Sequence, residues 1–265
     1  MRFSRPASFE EAVGYLRQQR LLPTSLSAAD LAKLDATVRV RGIFSARTTM
    51  GEHLQVIRDQ TLAMADGGTD LATAKLELKK SLQRLGYRPA EEDKGTLKDL
   101  SSERRRDLVV RMNARFAQGF GQWKQGQDPA FLAAWPCKEI VREQARKEPR
   151  GLAWWQARFV EAGGTLYDGR MIARKDSPVW RKLSRFKLPY PPYDYGSGMG
   201  DEDVSAAEAI ELGVITPDDV IEPDTTELND GLEARPQITD PELREAVRRD
   251  LGDAFRWVDG VLKAA

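Results

Sequence analysis

What restricts this chain most is the way its charge is laid out. It holds 41 Lys plus Arg and 41 Asp plus Glu over 265 residues, so the formal net charge is zero. Residues 101–187 nevertheless carry 19 basic and 9 acidic groups, a net of +10. Residues 188–240, directly after them, carry 1 basic (Arg235) and 14 acidic groups, a net of −13. The flanks are close to balance, with 16 basic and 13 acidic groups in 1–100 and five of each in 241–265. Two adjacent segments 23 charges apart each repel themselves and attract the other. Either the acidic segment folds back and neutralises the basic one, or each meets its own partner, the basic one being steered toward phosphate or an acidic protein surface. Charged helix faces in plain water are the third reading. Neutrality excludes a wholly basic nucleic-acid binder and a wholly acidic disordered chain.

Hydrophobic residues make up 41% and charged residues 31%, enough for a core under a well-solvated surface. The single cysteine, Cys137, excludes an intrachain disulfide, and with the single histidine, His53, it excludes a zinc finger or a Cys/His metal cluster. Any Ser-His-Asp or Cys-His mechanism would run through His53. No apolar run of about 18 residues predicts a membrane helix. Met1-Arg2-Phe3-Ser4-Arg5-Pro6 lacks the apolar core of a signal peptide. A reducing cytosol is the expected setting.

Helix signals are frequent. Ser8 with Glu11, and Ser205 with Glu208, have capping-box spacing. Ser27 starts a short helix, and Val38–Phe44 reads as extended. Leu54, Ile57, Leu62 and Ala65 lead to Gly67-Gly68, and Thr69 caps a second helix that Gly86 closes, so the two form a helical hairpin. Residues 87–100 read as a linker or mobile loop. Ser101-Ser102 caps a long helix to about Lys124, Asp128-Pro129 opens a short one, 138–148 reads as a charged helical stretch, and 152–162 as a Trp-rich helix. Asp168-Gly169 between β-prone runs predicts a tight hairpin over 165–174, because the turn needs positive φ at both central residues. Asp176-Ser177-Pro178 caps another short helix. Leu188–Gly200 holds three prolines, three tyrosines and three glycines, which precludes regular helix. Residues 216–240 are acidic and proline-interrupted, and Asp240-Pro241 starts a last helix with a break near Gly252. The expected class is α+β, predominantly helical, with a small β-hairpin region and an extended Tyr/Pro loop. The expected regions are an N-terminal helical part (1–100), an aromatic-rich core (101–200) and an acidic helical C-terminal part (201–265). Trp123, Trp135, Trp154, Trp155 and Trp180 concentrate in 123–180 and mark the best-packed unit.

Four places could carry chemistry. Asp194, Asp201, Glu202 and Asp203 form a carboxylate cluster that could hold a hard cation and support a metal-assisted hydrolase, although their spacing is not that of an EF-hand loop. Arg104, Arg106, Arg111 and Arg115 are candidate nucleic-acid contacts, against a salt-bridged helix face as the alternative. Tyr190, Tyr193 and Tyr195 of the Tyr/Pro loop, with Trp180, are candidate interface residues, or else a plug in the fold's own core. His53 reads as a surface histidine and Cys137 as an inert packing thiol.

One ordered set of segments has a counterpart elsewhere. Phe44-Ser45-Ala46-Arg47-Thr48 leads into the helical hairpin. Asp107–Trp123 contains Asn113-Ala114-Arg115-Phe116-Ala117. Gly169–Trp180 contains Asp176-Ser177-Pro178-Val179-Trp180, and Leu188-Pro189-Tyr190-Pro191-Pro192-Tyr193-Asp194 follows. This order resembles the minor head proteins of tailed phages and prophages of the phage Mu F-like head-morphogenesis family, over about residues 44–200. The resemblance implies a structural protein without catalytic residues, cofactor or metal. It would sit in the virion head, and in the host cytoplasm during assembly, in several copies of a hetero-oligomeric head structure. Its partners would be portal or major capsid protein and packaged DNA, with no membrane. Many relatives have cysteines and a histidine just after the Tyr-Pro-Pro loop. Here Asp194-Tyr195-Gly196-Ser197-Gly198-Met199 stands there, so no role tied to those residues carries over. A DNA-binding accessory factor and the metal-assisted hydrolase remain the alternatives.

Overall fold

The computed structural model describes residues 9–34, 38, 41–43, 45–145, 150–226, 228, 233–234, 238, 240–252, 255–259 and 261–264. In chain order its elements are α1 (Glu10–Gln18), β1 (Arg20–Leu21), α2 (Ala28–Lys33), β2 (Gly42–Ile43), α3 (Gly51–Ala65), α4 (Leu71–Arg84), α5 (Glu103–Gln125), α6 (Pro129–Ala134), β3 (Cys137–Arg142), α7 (Leu152–Glu161), β4 (Ile172–Arg174), α8 (Val179–Leu183), β5 (Met199–Val204), α9 (Ala206–Glu211), β6 (Glu233–Ala234), α10 (Pro241–Leu251), β7 (Phe255–Val258) and β8 (Val261–Ala264). The class is α+β and helix-rich, with small sheets. No described helix is long and apolar enough to cross a membrane.

Side-chain caps set several helix starts by satisfying N–H groups that have no intrahelical partner. Ser27 accepts from the Asp30 N–H, Asp128 from Ala130 and Phe131 ahead of Pro129, Ser205 from Glu208 and Asp240 from Glu242 and Leu243 ahead of Pro241. At α4 the cap is Asp70, which accepts from Thr73, one residue on from the expected Thr69. The Ser8 cap lies outside the described residues.

Two compact units divide the chain, residues 1–118 with 227–265, and residues 119–226. The sequence boundaries near 100 and 200 differ from these. In the first unit α3 and α4 form the expected hairpin, with Gly67 at φ 69° in its turn. Leu54 and Ile57 of α3 pack on Ala74 and Leu78 of α4, with Ile43 and Val110. A second cluster joins Leu22, Leu26 and Leu31 to Leu243, Val247, Leu251, Phe255 and Leu262, which is why the C-terminal residues belong here. Residues 87–100 are not a free linker. Leu100 and Asp99 are buried, the Leu100 N–H donates to the Tyr87 hydroxyl, and Asp99 accepts from the backbone of Gly95 and Ser101. The last helix ends at Leu251, and β7 and β8 pair antiparallel in a sheet of order β6-β8-β7. Asp259 has a positive φ of 48° and precedes Gly260 in the sequence, the same Asp-Gly pairing that occurs at 168–169.

The second unit is built on an antiparallel sheet of order β4-β3-β5. Two sequence expectations fail here for one reason. Residues 137–142 and 199–204 pair along six residues of register, although 138–148 reads as a helical stretch and 201 onward as the start of an acidic helical region. Directly opposed residues share a face. Ile140 and Met199 thus join Trp155, Phe159, Trp180, Leu183 and Tyr193 on one face. Cys137, Ile172 and Val204 join Ala209 and Ile215 on the other. Side chains of a strand alternate between two faces, and here both faces carry a buried cluster, a pattern that the charges of both segments mask in the sequence. The Asp168-Gly169 turn is as expected: φ is 50° and 78°, and Tyr167 and Arg170 exchange two backbone hydrogen bonds. The hairpin ladder stops there, and Ile172–Arg174 pairs instead with β3.

Candidate functional site

The polar centre of the second unit grows out of β3. Its register points Lys138 to the aromatic face, where the side chain is buried. An ammonium has three donors, and all three are used: Nζ donates to the Pro189 carbonyl at 2.6 Å, to Asp201 Oδ2 at 2.6 Å and to the Tyr193 hydroxyl at 3.1 Å. Tyr193 in turn donates to Asp201 Oδ2 at 2.7 Å. The ammonium stands 4.7 Å over the Trp180 ring, a favourable place for a desolvated cation. Trp180 is held by its own Nε1–H, which donates to the Arg174 carbonyl at 2.7 Å. Burial, followed by the Asp201 charge, pushes the Tyr193 phenol well above its ordinary value. The cluster therefore fixes the Tyr/Pro loop to the sheet.

Beside it a cleft of about 510 Å³ is lined by Trp123, Phe131, Lys138, Lys175, Tyr190 and Asp203, among others. Lys175 sits 4.3 Å over the Phe131 ring and 2.6 Å from Asp203. Burial lowers its pKa against the pull of that carboxylate. On the wall, α5 approaches the Tyr/Pro loop where it has no side chain: a Cβ on Gly119 would collide with the Pro191 carbonyl. Trp123 and Tyr190 meet at 5.5 Å, and Phe120 and Tyr190 edge-on at 6.0 Å.

A second polar centre surrounds Asp194, which is buried. Arg150 reaches its Oδ2 at 2.5 Å and Arg158 at 3.5 Å, while Arg185 lies 3.8 Å from Oδ1. The Tyr195 N–H donates to Oδ1 at 2.8 Å. Burial first lowers the Arg158 pKa; Asp194 and Glu161 oppose this, and the like charges of Arg150 and Arg185 add to it. Arg142 is aimed by hydrogen bonds to the carbonyls of Ser197 (3.0 Å) and Arg150 (2.6 Å).

Of the readings of the charge segregation, the fold-back is the one observed. Asp201 pairs with Lys138, Asp203 with Lys175, Glu208 with Arg170, Asp219 with Arg174 and Asp224 with Arg181, all between 2.6 and 3.1 Å. Asp194 adds the three arginines above. Inside the second unit these carboxylates of 194–224 are thus counter-charges of the basic residues 138–185.

The sequence-proposed residues fare unevenly. Trp180 and Tyr193 are fully buried and Tyr190 nearly so, which corrects the interface assignment for these three: they plug the unit's own core. Tyr195 alone of that set is open to solvent, at 45%. Arg104 is exposed near the start of α5. Arg106 is tied to the carbonyls of Ser101 and Lys75, Arg111 is paired with Asp107 at 2.9 Å, and Arg115 is half-buried. Arg105, half-buried in the first unit, donates to Ser45 Oγ and the Ala46 carbonyl. His53 is buried, not on the surface. Ser81 gives its only hydroxyl hydrogen to the Leu78 carbonyl at 2.8 Å, so His53 must donate Nδ1–H to Ser81 Oγ at 2.6 Å. Burial, with Arg105 nearby, depresses the imidazole to about 4. Cys137 is buried, and its thiol is pushed up to about 11, chiefly by desolvation, as an inert packing thiol should be. Asp194, Asp201 and Asp203 do not converge, each being committed to cations of its own. Among the described residues no group of three or more His, Cys, Asp or Glu is placed to hold a metal ion.

The arginine cage was the feature sequence reasoning missed, since its members come from 142, 150, 158, 185 and 194. The only signal was the match between the net charges of the two segments. What fold and site define together is a helix-rich α+β protein whose second unit is an aromatic core locked by ion pairs. No protein-family model, curated protein or solved structure matches the chain.

Proposed function

We propose that this chain is a structural minor head protein of a tailed bacteriophage or prophage, of the Mu F-like head-morphogenesis kind, which docks on portal or major capsid subunits close to packaged DNA. The observation that supports this reading is the meeting of the residues that carry the resemblance. Gly119 and Trp123 of α5 pack on Pro191 and Tyr190, and Trp180 stacks on Tyr193 at 6.2 Å. Of the segments that carry the resemblance, those between 119 and 194 therefore pack together inside the second unit. Such a unit supplies a rigid body with exposed ion-pair rims, the kind of surface that assembles with neighbours.

The test is particle composition. Particles and procapsids produced from the genome that encodes this chain are purified, and their proteins are quantified by mass spectrometry, alongside pull-down of portal protein with the tagged chain. The reading expects the chain in procapsids, at a few copies per portal, and portal protein in the pull-down. Absence from particles and procapsids alike overturns it.

A further inference from the structure

Around Asp194 the positive charge exceeds what the fold needs. Three guanidiniums share one buried carboxylate, and Arg142 is held beside them by two backbone carbonyls rather than by an acid. Among the described residues, the carboxylates that act on Arg158 are Asp194 and Glu161, and the like charges are Arg150 and Arg185. The surplus is turned outward: the side chains of Arg150 and Arg185 are 44% and 50% exposed. Hydrogen bonds to the buried carboxylate and to the carbonyls hold Arg150 and Arg142 and Asp194 attracts Arg185, so a ligand that takes their remaining N–H groups meets donors already gathered.

Two exposed aromatic rings border the same cluster. Trp154, 42% exposed, lies under Arg150 at 4.6 Å and Arg158 at 5.3 Å. Tyr195 lies under Arg185 at 5.6 Å and is braced edge-on by Phe186 at 4.8 Å. Gathered guanidiniums alternating with exposed flat rings suit a chain of phosphates carrying flat bases better than an acidic protein surface, which has no use for the rings. We propose that this face, formed by Arg142, Arg150 and Arg185 with Trp154 and Tyr195, binds the phosphodiester backbone of nucleic acid without regard to sequence. It replaces the α5 arginines as the nucleic-acid contact of this chain. The inference deepens the head-protein reading by giving its DNA contact a place, but it is tested separately.

The test is fluorescence anisotropy of the full chain with labelled DNA of about 20 nucleotides, duplex in one arm and single-stranded in the other, with salt raised from about 50 to about 200 mM. Arg150→Gln/Arg185→Gln is expected to weaken binding at least about tenfold and to flatten the log–log salt slope by about two. Arg158 is left in place to hold Asp194, and near-UV circular dichroism checks the fold. Arg150→Lys/Arg185→Lys keeps the charge if the first variant misfolds, and Trp154→Ala then reads the ring contribution as weaker single-strand binding. Arg104→Gln/Arg111→Gln is expected to bind like the parent. Tighter single-strand than duplex binding identifies base stacking on the rings, and the reverse identifies backbone contact alone. No binding of either DNA at low salt, binding only to an acidic protein, or loss of affinity in the α5 variant alone overturns the inference. A chain that enters particles yet binds no DNA refutes this inference and spares the head-protein reading. One that binds DNA yet is missing from every particle does the opposite.

Discussion

His53 and Gly119 act through what surrounds them. A histidine titrating near 4 in the fold and near 6.5 in the unfolded chain binds its proton preferentially when unfolded. Its contribution to stability is complete above about pH 6.5 and is lost as pH falls toward 4, up to about 3 kcal/mol. Urea unfolding at pH 7 and pH 5 should therefore show a drop in the parent that is smaller in His53→Gln; equal drops contradict the burial assigned to the imidazole. Gly119 inverts an ordinary rule. Gly→Ala inside a helix usually gains up to about 1 kcal/mol from propensity. Here the new methyl meets the Pro191 carbonyl, and overpacking of that kind costs about 1–3 kcal/mol. Gly119→Ala should lower the melting temperature, whereas Gly14→Ala in α1, where a Cβ meets nothing within 4 Å, should leave it level or raise it. Neither site was legible in the sequence. The partner of His53 is 28 residues away, and the neighbour of Gly119 is a loop carbonyl 72 positions on.

At the scale of elements, β3 and β5 decide the second unit. Asp168-Gly169 could be read in advance because its demand, positive φ at both turn residues, is local. The β3–β5 pairing could not, because a strand of six charged and apolar residues has no partner until one arrives from about 60 positions away. What ties the two together off the ladder is Lys138 with Asp201 and Tyr193. Removing one partner of a buried pair leaves an uncompensated charge, at about 3–5 kcal/mol. Lys138→Met should accordingly destabilise by about 3 kcal/mol, and Lys138→Met/Asp201→Leu should recover much of that loss. A double variant as unstable as the sum of the two singles would mean that the groups are not coupled.

For the whole molecule, the segregation of charge was legible from composition, but its meaning was not. Composition cannot distinguish an acidic stretch that seeks another protein from one that answers its own chain. The geometry distinguishes them through named pairs: Asp203 on Lys175, Glu208 on Arg170, Asp219 on Arg174. Among the described residues, the same pairing leaves three guanidiniums on the one carboxylate of Asp194, which points to a partner there. Likewise, the tryptophans of 123–180 were legible as a concentration of apolar area, but only the fold separates buried Trp155 and Trp180 from the exposed Trp135 and Trp154.

The account rests on the acidic segment being the intramolecular counter-charge of the basic one, and zero-length carbodiimide crosslinking tests it most directly. An equal mixture of ¹⁴N- and ¹⁵N-labelled chains is crosslinked, digested and read by mass spectrometry for the Lys175–Asp203 pair, which lies at 2.6 Å. The account predicts that this crosslink forms and joins peptides of one isotope only. Its absence, or its appearance mainly as mixed-isotope pairs, would mean that the two segments meet between molecules and would contradict the account.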